Sequence, residues 1–192
     1  MSQDRSLAEQ VLRRTLEAPA RLGAGRLLAV DGPAGSGKTT LAATVAALAA
    51  RDDAVSGAVR VIGMDDLYQG WSGLGDVADR IVAGLLVPLA AGRPGRYRRW
   101  DWVADAWAEE HVVDPVGLLV LEGVGSGARD QAAYLSLLVW VEAPWETRLA
   151  RGLARDGEAM RPEWERWRQS EADHFTVHDT RARADLRVDG TT

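Results

Sequence analysis

The sequence predicts an α/β fold of three layers, in which helices flank a mainly parallel sheet of about five strands. Short strand-like runs recur along the chain, helical segments separate them, and a glycine-rich stretch joins the first run to an alanine-rich helix. Strands that alternate with helices pair in parallel, because each helical crossover returns the chain to the same edge of the sheet. The predicted strands cover residues 26–30, 59–63, 117–121, 135–141 and 184–189.

The predicted helices lie between and before these strands. Apolar residues at helical spacing predict the first helix at 6–18, within an N-terminal segment 1–22. Asp76 is suited to cap a helix that ends near Gly92, because its carboxylate can accept hydrogen bonds from N–H groups of the first turn. Further helices are predicted at residues 40–50, 144–156 and 162–175.

Length and composition narrow the class of protein. A chain of 192 residues can bury one core without staples, so we expect a single domain over residues 1–192. The absence of cysteine excludes thiolate chemistry and disulfides, and a net charge of -5 argues against a general nucleic-acid surface. No apolar run approaches the length of a membrane span. We therefore expect a cytoplasmic protein that binds small molecules, and leave homo-oligomerisation open.

The glycine-rich stretch matches the phosphate-binding pattern G-x-x-x-x-G-K-T between a strand and a helix. Its backbone N–H groups can surround a polyphosphate at the N-terminus of the helix, where the dipole favours negative charge. Lys38, the only lysine in the chain, is suited to reach the β- and γ-phosphates, and the Thr39 hydroxyl is suited to hold Mg²⁺. The residues predicted to bind ATP are Gly32, Pro33, Ala34, Gly35, Ser36, Gly37, Lys38, Thr39 and Thr40.

Carboxylates follow the second and third predicted strands. Asp65 and Asp66 come after the strand 59–63, at the edge where open parallel sheets bind ligands. A carboxylate there can accept the proton of a hydroxyl during phosphoryl transfer, although aspartates also form turns after strands. Glu122 ends the third strand and is predicted to hold Mg²⁺ or its waters, the alternative being a strand that simply ends in a polar residue.

Three arginines share one face of the helix predicted at 144–156. Arg148, Arg151 and Arg155 are spaced i, i+3 and i+7. Their like charges repel one another, and an anion that lies between them would offset this repulsion. We expect Arg151 and Arg155 to act on the transferring phosphate and Arg148 to bind the nucleotide, which makes 144–157 a lid-like segment. The alternative is a solvated face whose arginines pair with nearby carboxylates.

Aromatic and basic residues are concentrated in two segments, 64–75 and 93–110, which we expect to form an acceptor site. Flat indole rings suit a nucleobase, although tryptophans also fill cores and interfaces. We read residues 93–102 as an arm without regular periodicity. The residues predicted to bind the acceptor are Asp66, Tyr68, Trp71, Tyr97, Arg99, Trp100, Asp101 and Trp102.

Glu171, His174 and His178 share one face of the last long helix, at i, i+3 and i+7. Carboxylate and imidazole side chains can ligate a metal, which is one reading of this spacing. The sequence supplies no convincing further ligands, so we favour a surface or packing role for all three residues.

Over residues 27–189 these motifs together resemble the uridine kinase and phosphoribulokinase branch of P-loop kinases. The resemblance implies the P-loop nucleoside-triphosphate hydrolase fold, Asp65 as the base, Tyr68 beside the acceptor, and an arginine lid that closes on ATP. Leu67 replaces the usual phenylalanine of the family, and Trp100-Asp101-Trp102 takes the place of its tyrosine-aspartate-phenylalanine acceptor element. The family's histidine after that element is missing.

We therefore expect an ATP- and Mg²⁺-dependent small-molecule kinase that phosphorylates an acceptor hydroxyl, that of a nucleoside. One alternative is a nucleoside monophosphate kinase, in which Arg96, Arg98 and Arg99 would hold the acceptor phosphate. Another is a regulatory ATPase with no small acceptor. Asp65 and the tryptophan-rich arm argue against that second alternative, because a switch needs no acceptor pocket.

Overall fold

The computed structural model of the chain describes residues 2–191. Its main sheet has five parallel strands in the order β2-β5-β1-β6-β7, which confirms the predicted α/β fold. These strands are β1 Arg26–Asp31, β2 Val59–Gly63, β5 Leu118–Glu122, β6 Leu137–Glu142 and β7 Leu186–Asp189.

Helices cover both faces of the sheet. They are α1 Ser2–Glu17, α2 Lys38–Ala49, α3 Val77–Ile81, α4 Val87–Ala90, α5 Trp145–Asp156, α6 Arg161–His178 and α7 Thr180–Arg183. On one face, α1 and α2 pack their apolar residues against β1 and β6, with Val30 and Val139 fully buried between them. On the other face, Leu85 and Trp167 from the α3–α4 and α6 segments pack over Leu121.

The helix predicted from Asp76 to Gly92 is interrupted. A π-helical turn, Val82–Leu86, separates α3 from α4, and the Asp76 side chain makes no capping hydrogen bond. Pro88 has no N–H to donate to the carbonyl four residues earlier, which permits the wider turn. At Gly84 an added Cβ would lie 2.8 Å from the Arg96 carbonyl oxygen, so this turn packs directly against the next strand.

The segment read from the sequence as an irregular arm is a regular antiparallel hairpin. Its strands are β3 Gly95–Asp101 and β4 Ala106–Val113, with a register shift between Arg98 and Trp100. The sequence conceals the hairpin because charged residues occupy both faces of β3, so the apolar–polar alternation of a half-buried strand is missing. The hairpin projects from the main sheet and covers the segment that follows β2.

Among the described residues, no helix is both long and apolar enough to cross a membrane.

His174 on α6 makes the stability of the fold depend on pH. Burial, together with the nearby charge of His178, whose ring centroid lies 4.2 Å away, lowers the pKa of this imidazole to about 4. Because the folded-state pKa lies below the ordinary 6.5, the unfolded chain binds more protons, and stability is lost as the pH falls through this window.

We expect this group to reduce the free energy of unfolding by up to about 3 kcal/mol between pH 6.5 and pH 4. Urea denaturation of the wild type and His174→Gln across that range measures the difference. The variant is expected to lose less stability on acidification than the wild type. Identical pH profiles for the two proteins would remove His174 as the cause.

Candidate functional site

The glycine-rich loop, residues 32–37, connects β1 to α2 at the carboxyl edge of the sheet. Gly32 and Gly35 have φ values of 136° and 77°, which other residues rarely adopt. A Cβ on Gly32 would lie 2.0 Å from the Val141 carbonyl oxygen, and one on Gly35 would lie 2.6 Å from the Arg148 carbonyl oxygen. The loop is therefore pressed against β6 and α5, with the N-terminus of α2 beside it, as an anion-binding loop requires.

Lys38 is buried at the start of α2, and its Nζ donates to the Pro33 carbonyl oxygen over 2.8 Å. Burial lowers the pKa of this ammonium group, and the charges of four carboxylates oppose that effect. These are Glu171, Asp31, Glu122 and Asp65. The single lysine of the chain thus lies where acidic groups from several elements converge, and all four favour its charged form.

Thr39 and Glu122 are in contact beside Lys38. The Thr39 hydroxyl donates to the Glu122 carboxylate, with Oγ1 at 3.2 and 3.1 Å from the two carboxylate oxygens. Burial raises the pKa of Glu122, and the Lys38 charge opposes that shift. A hydroxyl and a carboxylate at the edge of the phosphate loop fit Mg²⁺, which prefers oxygen ligands and keeps several waters. Among the described residues no cluster of three or more His, Cys, Asp or Glu side chains offers an all-protein metal cage.

Asp65 and Asp66 lie in a 3-10 turn, Met64–Asp66, directly after β2. The Asp65 charge acts on Lys38, whereas the Asp66 charge interacts most strongly with Arg99 of the hairpin. Burial raises the pKa of Asp66. The two neighbouring carboxylates therefore interact with different groups, Asp65 with the lysine of the phosphate loop and Asp66 with an arginine of the hairpin.

Asp31, at the end of β1, is a residue that sequence reasoning missed. Its buried carboxylate accepts backbone N–H groups from Gly32, Gly125 and Gly127 at 2.7, 2.9 and 2.8 Å. Burial raises its pKa to about 6, against the effect of these hydrogen bonds and of Lys38. Asp31 ties the phosphate loop to the glycine-rich loop after β5, and an acidic residue at the end of a buried strand was its only sequence signal.

Arg148 was predicted to bind the nucleotide, but its guanidinium group is engaged within the protein. It is buried, and its Nη1 donates to the Ala34 carbonyl oxygen at 3.2 Å and to Glu171 at 3.4 Å. Glu171 in turn accepts the Ala34 N–H over 2.6 Å. Residues of α5 and α6 thus hold both polar groups of one phosphate-loop residue, so Glu171 has a more specific role than the general packing expected of it.

Arg151 and Arg155 line a cavity of about 420 Å³ together with Lys38, Thr39 and Thr40. The Arg151 Nη1 donates to the Gly35 carbonyl oxygen at 3.2 Å and to the Gly190 carbonyl oxygen at 2.8 Å. Arg155 pairs with Asp156 at 2.6 Å, as the solvated-face alternative expects. Both residues nevertheless line the cavity at the phosphate loop.

A second cavity, of about 520 Å³, lies between the hairpin, the loop after β2 and α6. Trp71, Trp100 and Trp167 form its aromatic wall, and the Trp71 and Trp167 rings meet edge to face at 5.8 Å. Trp100 is 6% exposed, and its Nε1–H makes no hydrogen bond within the described residues. Trp167 was not predicted to belong to this site, because its position on α6 reads as an ordinary core residue.

Other residues predicted to bind the acceptor are engaged within the protein. Tyr68 is buried and donates its hydroxyl proton to the Val124 carbonyl oxygen, so it belongs to the core. Asp101 closes the hairpin turn by accepting the N–H groups of Val103 and Ala104. These two side chains therefore stabilise the structure around the cavity through internal hydrogen bonds.

Three further residues join the hairpin to its surroundings. Trp102 is 40% exposed, and its Nε1 donates to the Asp65 carbonyl oxygen at 2.9 Å, which fixes the hairpin tip beside the 3-10 turn. The Tyr97 ring stacks on His111 at 5.0 Å. Arg99 pairs with Glu109 at 2.8 Å, and this hydrogen bond holds the pKa of Glu109 at about 2.

The chain has a P-loop nucleotide-binding fold. This fold is defined by the strand order, by the glycine loop before α2 and by the single lysine at the start of α2. Over 98% of its length the chain matches a solved structure described as a possible uridine kinase from Bacillus stearothermophilus, with 20% identity, a TM-score of 0.69 and all of that chain covered. It also matches a candidate fructose transport system kinase from Silicibacter sp. TM1040, with 20% identity, a TM-score of 0.54, and 96% of this chain and 98% of that chain covered. No family model and no curated protein sequence matches the chain. The chain has the fold of these P-loop kinases.

Proposed function

We propose that the protein is an ATP- and Mg²⁺-dependent small-molecule kinase, similar to uridine kinases, that transfers the γ-phosphoryl group of ATP to an acceptor hydroxyl. One observation carries the proposal: Thr39 and Glu122 are in contact beside the buried Lys38 at the mouth of the phosphate loop, and the charge of Asp65, on the turn after β2, acts on that lysine. A phosphotransferase needs such a combination of a cationic side chain that binds the phosphates, a metal ligand and a free carboxylate.

Each group has a separate task in the proposed reaction. Lys38 binds the β- and γ-phosphates, and Thr39 with Glu122 would hold Mg²⁺, which supplies positive charge to the phosphate oxygens. Asp65 accepts the proton of the acceptor hydroxyl. The hydroxyl oxygen bonds to the γ-phosphorus, the bond between that phosphorus and the β–γ bridging oxygen breaks, and ADP leaves with the bridging oxygen. Arg151 and Arg155 stabilise the transferring charge.

The aromatic cavity is the proposed acceptor site. Its indole walls suit a flat ring, and the unpaired Nε1–H of Trp100 is a donor that a buried ligand oxygen would satisfy. A nucleoside has both features, since it combines a planar base that carries hydrogen-bond acceptors with free ribose hydroxyls. Trp102 of the same hairpin donates to the Asp65 carbonyl oxygen, which supports a position of the proposed base next to the hairpin.

Two of the three arginines that would hold the phosphate of a nucleoside monophosphate are neutralised, and the third, Arg98, does not line the aromatic cavity. Arg96 pairs with Glu110 at 3.3 Å, and Arg99 pairs with both Asp101 and Glu109. An acceptor phosphate would have to displace these carboxylates. A regulatory ATPase is also disfavoured, because it has no use for an acceptor cavity with an unpaired donor.

Trp100→Phe is expected to raise KM for the acceptor about tenfold and to leave KM for ATP unchanged. The variant keeps an aromatic ring and removes the N–H, and the loss of a buried hydrogen bond to a ligand is worth roughly a factor of ten. Steady-state kinetics with each substrate varied in turn measures the two constants.

Trp140→Phe, which removes an indole N–H on β6 outside the aromatic cavity, is the matched control and is expected to leave both constants near wild type. Equal increases in both constants for Trp100→Phe would mean that Trp100 maintains the fold rather than the acceptor site.

The proposed function is tested by incubating the protein with ATP, Mg²⁺ and a panel of nucleosides, nucleoside monophosphates and polyols, with products read by mass spectrometry. We expect a phosphorylated nucleoside. A phosphorylated monophosphate would support the rival kinase, and ATP hydrolysis with no phosphorylated acceptor would support the regulatory ATPase.

A further inference from the structure

A third cavity, of about 440 Å³, lies between α3 and the hairpin β3–β4. Buried aliphatic side chains form its floor, among them Leu67, Ile81 and Leu85, and the rings of Tyr97 and Trp107 form its walls. Its size falls within the range of about 300–1,000 Å³ that is usual for small-molecule sites, as does its mainly apolar lining with a few polar groups.

This cavity is separate from the candidate active site. It shares no lining residue with the phosphate-loop cavity and only Gln69 with the aromatic cavity, and Asp65, Trp71 and Trp100 do not line it. Arg96, Tyr97 and Arg98 of β3 all line it, and α6, which lines the aromatic cavity, contributes no residue to it.

Three guanidinium groups, from Arg80, Arg96 and Arg98, stand at the rim of this cavity, and Glu110 is the one carboxylate in its lining. Arg96 pairs with Glu110 at 3.3 Å. Within residues 5–191, neither Arg80 nor Arg98 has a carboxylate partner within 4.0 Å. The rim therefore carries two uncompensated positive charges above an apolar floor.

Both unpaired arginines are held in place and keep free donors. Arg80 donates one N–H to the Leu67 carbonyl oxygen at 3.0 Å, and its guanidinium carbon lies 5.2 Å from the Trp107 ring centroid. Arg98 donates to the Trp107 and Ala108 carbonyl oxygens at 3.1 and 2.9 Å. A guanidinium has five N–H donors, so each side chain can still bind an anionic group.

We propose that this cavity is a second ligand site, for a small amphipathic organic anion. The apolar body of the ligand, which is aromatic to match Tyr97 and Trp107, fills the floor. Its single anionic head group, a carboxylate, sulfonate or phosphate, pairs with Arg80 and Arg98 at the rim. The proposal does not depend on the kinase assignment, because Arg80, Arg98 and the apolar floor line neither the phosphate-loop cavity nor the aromatic cavity.

The probe for this site is 8-anilinonaphthalene-1-sulfonate, an aromatic anion whose fluorescence rises in apolar surroundings. Its neutral counterpart, N-phenyl-1-naphthylamine, has the same body without the sulfonate. Both are titrated into the full chain in saturating ATP analogue and Mg²⁺, and also without nucleotide, so that binding at the phosphate loop is recognised by its loss. We expect the sulfonate to bind at one site in both conditions, at least about tenfold more tightly than the neutral compound.

Arg80→Gln and Arg98→Gln each remove one guanidinium while keeping a polar side chain, and each is expected to weaken sulfonate binding about tenfold. Arg21→Gln, at an exposed arginine outside the cavity, is the matched control and is expected to bind as the wild type does. Circular dichroism melting confirms that each variant is folded. Unchanged sulfonate affinity in the double variant Arg80→Gln/Arg98→Gln, equal affinity for the neutral compound, or complete displacement by nucleotide would each overturn the proposal.

Discussion

Lys38→Ala is expected to lower kcat/KM for ATP-dependent phosphoryl transfer by about 10³-fold. Removing one preorganised donor from a developing charge typically costs about 10²–10³ in rate, and Lys38 supplies a full positive charge in a buried loop. The structure adds a second consequence of this change. Four carboxylates act on the Lys38 ammonium group, so its loss leaves them without their common cation.

The Lys38 experiment needs a second variant for this reason. Lys38→Met retains the length of the buried side chain, so any loss of activity it shares with Lys38→Ala comes from the missing charge rather than from a cavity. Initial rates are measured beside thermal unfolding curves for both variants. Wild-type turnover in a folded Lys38 variant would contradict the nucleotide-binding role of the loop.

Asp65→Asn is expected to lower kcat by about 10²–10⁴, the usual contribution of a general base, while ATP still binds. The amide matches the carboxylate in size but cannot accept the hydroxyl proton. Because Asp65 is exposed, the substitution leaves the fold intact. Single-turnover rates at saturating ATP and Mg²⁺ measure the chemical step directly.

Asp66→Asn is the matched control, since it makes the same chemical change one residue later. The Asp66 charge acts mainly on Arg99 and the hairpin, so its loss is expected to affect acceptor KM more than kcat. If Asp66→Asn lowers kcat more than Asp65→Asn does, Asp66 is the base.

The sequence was sufficient for the parts of this protein that depend on local pattern. Each predicted strand of the main sheet is present within one or two residues of its expected bounds. The phosphate loop was equally readable, because its glycines, its lysine and the flanking strand and helix are contiguous in the chain. A contiguous motif can therefore be recognised together with the strand and the helix that flank it.

The hairpin was not predictable because its stability does not come from a two-faced apolar pattern. Arginines of β3 bond to carbonyls and carboxylates of β4, as Arg98 does with Ala108 and Arg99 with Glu109. Such cross-strand pairs are visible only once the register is known. The sequence identified the segment as unusual but not as β-structure.

Contacts between distant residues account for the other differences. Glu171 meets the phosphate loop 137 positions earlier in the chain, and Asp31 bonds to backbone groups 94 and 96 positions later. Arg148 pairs with Glu171 across two helices. No spacing rule connects such residues, so their roles required the fold.

The most direct test of the proposed kinase activity measures ADP formed and phosphoryl group transferred in the same reaction, with and without the acceptor identified in the panel. We predict that each ADP is matched by one phosphorylated acceptor, and that omission of the acceptor suppresses ADP formation. Lys38→Met and Asp65→Asn are expected to reduce both products together. If ADP instead accumulates together with inorganic phosphate, at the same rate with and without an acceptor, the result would contradict the proposed kinase activity.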